Sequence, residues 1–334
     1  MNYVSRNTAG ALLAFKTQTA EMEKKMEKTL KKKKRRDPSN WQLWSLSILP
    51  AALVFLFSYV PMFGIIIAFK DYKFARGIFG SEWNGLDNFK YLIGSNTFYR
   101  ITRNTLVMNI IFIFIGLVAA VSLAVVLYRL TSRRFTKVYQ TILITPNFLS
   151  WVVVSYMAYA ILHPQNGTLN QIIASMGFKP MDWYGEPGAW PFILTVANTW
   201  KHVGMNSVIY YAALMGIDAS LFEAAEVDGA TSRQVTRYIL IPCITSIMIM
   251  LTILNIGSIF RADFGLFYQV PRNVGALYET TDVIDTYIFR SLRAANTNLG
   301  VTTAVGFLQS FVGLVMVVTT NYIVGKIDPD SQLF

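Results

Sequence analysis

The chain has 334 residues, 53% hydrophobic and 15% charged, against roughly 25% charged residues in soluble domains, which argues against an ordinary soluble globular protein. The formal net charge is +11, but residues 1–40 hold eleven Lys/Arg and four Asp/Glu. That basic tail has no interleaved aromatics and no recognisable reader fold, which argues against nucleic acid as a partner. Cys243 is the only cysteine, so neither an internal disulfide nor a multi-thiolate metal site can form.

Residues 1–43 read as a basic cytoplasmic tail ending in the run Lys31 to Arg36, where the positive-inside rule places a cytoplasmic anchor. Residues 1–40 lack an apolar h-region, so no cleavable signal is expected. Crossing a hydrocarbon core takes roughly 20 helical residues. Six stretches qualify, giving an all-α polytopic membrane protein over 44–324: Trp44 to Phe69, Thr105 to Leu127, Thr141 to Leu162, Trp190 to Met215, Pro242 to Phe260 and Val301 to Val324. Six crossings put both termini on one side, with 325–334 as a short cytoplasmic C-terminal tail. Arg129, Arg133, Arg134 and Lys137 crowd the second cytoplasmic segment, as the rule expects. The first external loop is also basic, so orientation rests on the tail and this short segment.

Pro50 and Pro61 are candidate kinks in the first span. Gly116, Ala120 and Ala124 align small side chains on one face of the second, a signal for close helix approach. External residues 70–103 and 163–189 carry Trp83, Phe89, Tyr91, Phe98, Trp183 and Tyr184. These aromatics suit either an extracytoplasmic partner or the membrane interface.

Enzyme templates fail. There is no GxxxxGK[ST] phosphate loop, and two histidines, His163 and His202, build neither an HExxH zinc site nor a larger histidine cluster. Pairing Ser155 with His202 as nucleophile and base lacks the third, orienting group. The chain is read as a non-catalytic protein with no cofactor or metal of its own, and any ATP energy must come from another chain.

The fourth span is polar, with Asn198, Lys201, His202 and Asn206 at roughly 0°, 300°, 40° and 80° on a helical wheel. A charge at membrane depth faces a bundle interior or an aqueous cavity, so this face is a candidate pathway lining; pairing of Lys201 with a neighbouring helix is the alternative. Trp151, Ser155 and Tyr159 in the third span fall at roughly 0°, 40° and 80°. Aromatic faces and hydroxyls together suit a sugar, although ordinary helix packing also accounts for each.

The segment from Gly216 to Pro242 reads GIDASLFEAAEVDGATSRQVTRYILIP. Asp218 or Ser220 is placed to cap a short helix through Phe222, Glu223, Ala224 and Ala225, and Gly229 supplies a turn before a second helical stretch. The result is a compact knob, which suits either a docking element or a plain solvated loop.

Glu223-Ala224-Ala225, Asp228-Gly229-Ala230, Gln234, Ile239 and Pro242 resemble the EAA motif in permease subunits of binding-protein-dependent ABC importers. Thr236, where an aromatic is common, and Ile241, where Leu commonly precedes the proline, depart from it. The resemblance runs through most of 41–334 in Asn104-Thr105-Leu106, Thr145 to Val153, Gly167 to Asn170, Trp200-Lys201, Tyr211 to Leu214 and Asp285-Thr286-Tyr287, and is to the LplB-type polysaccharide permeases, which include subunits for alginate. It implies a type I importer fold of six transmembrane helices with a cytoplasmic coupling helix in the bacterial cytoplasmic membrane. It also implies a second, different permease subunit, two ATPase subunits holding ATP and Mg, an extracytoplasmic solute-binding protein and an oligosaccharide substrate. The coupling residues would be Phe222, Glu223, Ala224, Ala225, Asp228, Gly229 and Ala230.

A secondary transporter or channel working alone is the rival reading; the spans hold no Asp or Glu for ion coupling. A membrane scaffold recruiting a cytoplasmic partner is a second rival, against which the polar fourth span speaks.

Overall fold

The computed structural model describes residues 38–130, 132–294 and 298–327. The run Lys31 to Arg36, the rest of the basic tail to residue 37, and the last seven residues of the C-terminal tail lie outside the described residues. The chain divides into two units, Met1–Phe63 and Gly64–Phe334.

In the first unit, α1 (Pro38–Val54) carries Pro50 inside it and passes into a π-turn at Phe55–Tyr59. From Val60 the chain is a 3-10 helix, so helical geometry changes around Pro61, which has no N–H to donate. This unit's described side chains are exposed, as expected of apolar residues meant for lipid or another chain.

The second unit begins with an external segment in which β1 (Lys70–Asp71) pairs antiparallel with β2 (Glu82–Trp83), followed by α2 (Asp87–Ile93). Lys70 is buried, donating to the carbonyls of Ile78 (2.8 Å) and Ser81 (3.1 Å). It therefore closes a loop, and is not a free external charge. Phe89 is also buried, packed against Phe69 and Phe307 at centroid distances of 5.2 and 5.9 Å. Trp83 and Tyr91 stay exposed.

The second crossing, α3 (Asn96–Tyr128), starts nine residues before the expected Thr105 because Ser95 caps it, accepting from the Phe98 N–H. Thirty-three residues make about 50 Å of helix, so its first turns stand beyond a hydrocarbon core of about 30 Å. Ala120 and Ala124 are buried against Tyr210 and Leu214 of α7 (Trp190–Leu214), the close approach that small residues permit. Gly116 instead borders a cavity.

The third expected span is not one helix. It is α4 (Arg133–Ile144), a 3-10 turn at Thr145–Phe148 and α5 (Trp151–Leu162), with a bend of 97° between the two arms. Pro146 withholds an N–H and Ser150 caps α5, accepting from Val153 N–H; a proline followed by an N-cap ends one helix and starts another. A close contact fixes the break: a Cβ on Gly204 would lie 1.8 Å from the Leu143 carbonyl oxygen.

After α5 come α6 (Thr168–Ser175), α7, α8 (Ala219–Val227), α9 (Ile241–Gly257), α10 (Ile284–Arg293) and α11 (Leu299–Ile327). Among the described residues, four stretches are long and apolar enough to cross a membrane, Trp44–Phe69, Asn96–Tyr128, Ser232–Gly257 and Leu299–Lys326, and two bent pairs bring the number to six at most. Motif residues far apart in sequence meet along the first turns of α3. The Asn104 amide donates to the Asp282 carbonyl (3.0 Å), the Thr105 hydroxyl accepts from the Ile284 N–H (3.1 Å), and Thr286 donates to the Asp282 carboxylate (3.0 Å). Arg290 and Arg100 pair with that carboxylate at 2.7 and 3.4 Å.

Candidate functional site

Two features of the second unit are built for something beyond packing: a polar cavity between helices and the loop carrying α8. The cavity, about 470 Å³, lies between α3, α7 and α9. From α7, Asn198, His202 and Asn206 line it as the helical wheel predicts; Asn109 of α3, Asn255 of α9, and Arg261 and Asp263 just past α9 complete its polar lining.

Lys201 belongs to the same arc of α7 but is not part of that lining. It is 6% exposed and donates to the carbonyls of Asn147 (2.9 Å) and Leu149, with Pro146 at 3.4 Å. The Pro146 carbonyl already accepts from the Leu149 N–H (3.1 Å), but the break between α4 and α5 leaves the Asn147 and Leu149 carbonyls without backbone donors among the described residues. An ammonium has three hydrogens to offer them and is drawn to the negative end of a helix, so each problem solves the other. The Trp151 ring lies 5.2 Å from the ammonium. Lys201 is thus paired with a neighbouring element, the alternative reading, because its place at the edge of the arc aims it at α4 and α5.

The third-span face also divides. Trp151 Nε1 donates to Asp263 Oδ2 (2.7 Å) and its ring meets His202 edge-on at 6.1 Å, so it braces the cavity from behind. Gly265 makes room for it, since a Cβ there would be 2.2 Å from Trp151 Cδ1. Ser155 is buried and donates to the Val152 carbonyl of its own helix. Tyr159 packs on Tyr184 (5.5 Å) and His163 (5.0 Å) under the Arg272 guanidinium (4.0 Å). Ser155 and Tyr159 are core residues here, because the bend turns α5 toward the external segment. Trp183 and Tyr184 join the same core: Trp183 donates to Asn170 (3.0 Å), and burial pushes the Tyr184 hydroxyl up to about 12.

Asp263 and Asp285 shape the field beside the cavity. Asp263 caps a short helix by accepting from the Leu266 N–H (3.2 Å). Asp285 accepts from the Ala262 N–H (2.8 Å) and from Gln309 (3.1 Å); burial nevertheless holds its carboxyl above the usual range.

In the α8 loop, Asp218 is the cap: Oδ1 accepts from the Ser220 N–H (3.0 Å), and donation from Ser220 holds its carboxyl below the usual range. The helix ends in a Schellman turn, Ala230 N–H to Ala225 carbonyl (2.9 Å) and Gly229 N–H to Glu226 carbonyl (3.0 Å). Gly229 sits at φ +68°, a region closed to most side chains. A capping box between Thr231 and Gln234 starts the next helical turn. Glu223, Ala224, Asp228 and Gly229 are exposed, Ala225 and Ala230 are half-buried, and Phe222 anchors α8 on Tyr128 at 5.9 Å. Thr236 acquires a specific role: Arg129, at the end of α3, donates to its hydroxyl and to the Ser232 carbonyl, tying loop to helix.

The sequence reading missed Asn109, Asn255, Arg261 and Asp263. The signal available was a lone amide in each of two apolar spans, but a wheel drawn for one helix does not show which faces of three helices converge.

A family model described as "Binding-protein-dependent transport system inner membrane component" matches residues 112–329. The polygalacturonan/rhamnogalacturonan transport system permease protein YteP of Bacillus subtilis is 33% identical over 282 residues, 84% of this chain and 87% of that protein. The protein LplB of the same organism is 30% identical, over 86% and 89%. In the crystal structure of a bacterial ABC transporter that imports the acidic polysaccharide alginate, one chain superposes with a TM-score of 0.78 at 30% identity, covering 87% of this chain and 97% of that one. A second structure of the alginate transporter, in complex with alginate pentasaccharide-bound periplasmic protein, gives 0.77 at 32% identity. The expected all-α importer permease fold is the one these chains share.

Proposed function

Because the chain belongs to the family of binding-protein-dependent transport system inner membrane components, we propose that it is the transmembrane permease subunit of an ATP-driven importer for oligosaccharides or polysaccharide fragments. It forms the translocation path with a second permease subunit and is not itself catalytic. Two ATPase subunits hold ATP and Mg and hydrolyse it; an extracytoplasmic solute-binding protein delivers cargo. The chain sits in a bacterial inner membrane with both termini cytoplasmic. The cargo class is supported by the relatives, one a polygalacturonan/rhamnogalacturonan permease and another an alginate importer.

The observation that carries the coupling role is the α8 loop. A helix capped at both ends, stapled by Phe222 and by Arg129, moves as a rigid body, and its exposed Glu223, Ala224 and Asp228 offer a seat for a partner's cleft. Closure of the ATPase pair displaces α8, and α7, joined to it across a 75° bend, carries that displacement to the cavity wall. The polar cavity then lies between helices that shift against one another, so access alternates.

Mass spectrometry of everything that co-purifies with the chain from its native membrane in mild detergent tests this. An ATPase and a second permease are expected. Recovery of the chain alone, in detergent shown to preserve another known complex, would overturn the importer reading in favour of a lone transporter.

A further inference from the structure

The polar groups in the cavity and those just behind it, Lys201 and Asp285, differ in how much of their bonding capacity the fold consumes. Asp263 has donors on both oxygens, Trp151 Nε1 and the Leu266 N–H. Asp285 is held by Ala262 and Gln309, Lys201 by the carbonyls of the break, and His202 Nδ1 lies 3.1 Å from the Asn147 carboxamide oxygen. Arg261 differs from all of these. Its backbone is pinned, its N–H donating to the Ser258 carbonyl (2.8 Å) and its carbonyl accepting from Asn109 (3.1 Å). Its side chain is exposed and lines the cavity, and its guanidinium forms no hydrogen bond or close ion pair among the described residues, though its charge acts on the Asp285 carboxyl. The side-chain amides of Asn198, Asn206 and Asn255 are likewise unpartnered among the described residues and line the same space.

A free guanidinium offers five donors in a planar fork that matches a carboxylate bidentately. Three free amides each bring two donors and an acceptor, the complement of sugar hydroxyls. We propose that Arg261 binds a carboxylate of the cargo, so that the pathway accepts oligosaccharides carrying uronate groups. This rests on the importer reading and deepens it: the amides take any sugar, and Arg261 sets the preference for acidic ones. The pinned backbone fixes where the Arg261 side chain emerges at the cavity.

The test is uptake by the complete transporter in proteoliposomes, with its binding protein supplied, of trigalacturonate and of its fully methyl-esterified, uncharged counterpart. Arg261→Gln should lower uptake of trigalacturonate on the order of 10- to 100-fold, the loss of a charge-assisted bidentate contact, and leave uptake of the ester unchanged. Arg261→Lys should be intermediate, keeping charge without the fork. Equal effects of Arg261→Gln on both substrates, or wild-type uptake of the ester but not the acid, would overturn the proposal and leave the importer reading intact. Transport of neither substrate by an assembled, ATP-hydrolysing complex would overturn the uronate proposal alone, since the assembled complex itself supports the importer reading.

Discussion

Replacing Gly204 by alanine should separate α4 from α7. The added Cβ would stand 1.8 Å from the Leu143 carbonyl oxygen, 2.3 Å from its carbon and 2.9 Å from the Ile144 nitrogen. All three are backbone atoms, so no rotamer change relieves the clash. Restoring ordinary van der Waals contact needs a shift of about 1.5 Å. Overpacking of this kind costs about 1–3 kcal/mol. The same shift would stretch the 2.9 Å contact from Lys201 to the Asn147 carbonyl past hydrogen-bonding range, and a hydrogen bond from a charged donor is worth about 1.5–3 kcal/mol. A total near 4 kcal/mol corresponds to a fall of about 10 °C in the midpoint of thermal unfolding. The assay is thermal denaturation of the detergent-solubilised protein beside a control, Gly116→Ala, whose Cβ would meet nothing within 4 Å and whose better helix propensity is worth up to about 1 kcal/mol. If Gly204→Ala melts within about 2 °C of wild type, the two backbones do not approach as described and the account of the break fails.

Lys201→Met should destabilise the protein by leaving the Asn147 and Leu149 carbonyls unpaired, at about 1–3 kcal/mol each, partly offset by removing a buried charge. Assembled Lys201→Met transporter should keep its substrate affinity, and a changed affinity measured by uptake would return Lys201 to the pathway. Gly229→Asp puts a side chain at φ +68°, a strain of about 1–2 kcal/mol, and should abolish uptake while the protein remains inserted; normal uptake by a fully inserted variant would refute the coupling role. Asp282→Asn should cost about 2 kcal/mol, below the 3–5 of a fully buried pair because Arg100 and Arg290 are partly exposed, and thermal melting would register it. Asp218 has a carboxyl depressed by the bonds from Ser220, so its cap holds above the ordinary aspartate value of about 3.9 and is lost as pH falls through the lower folded value. Hydrogen exchange at the Ser220 amide should therefore quicken in Asp218→Ala at pH 7, but in wild type only in strong acid.

Helix content, the apolar stretches and the α8 loop were legible because they depend on local signals. Apolar length marks a crossing, Asp218 a cap, and Gly229 a turn that needs positive φ. The arc of Asn198, His202 and Asn206 came from the helical period alone. The break in the third span was also written locally, in Pro146 and Ser150, but length and apolarity outweighed it in a reading based on spans.

What the sequence could not assign is where each polar side chain finds its partner. Lys201 and His202 lie roughly 100° apart on one polar arc, yet Lys201 closes on the carbonyls of a broken helix while His202, its Nδ1 against the Asn147 carboxamide, lines the cavity. Asn109, Asn255 and Arg261 come together from segments some 150 residues apart. Periodicity fixes direction within a helix, but only packing between helices decides whether that direction meets a carbonyl, an aromatic core or open space. Membership of a face is therefore a property of the sequence, while consumption or freedom of the groups on that face is decided by the tertiary structure.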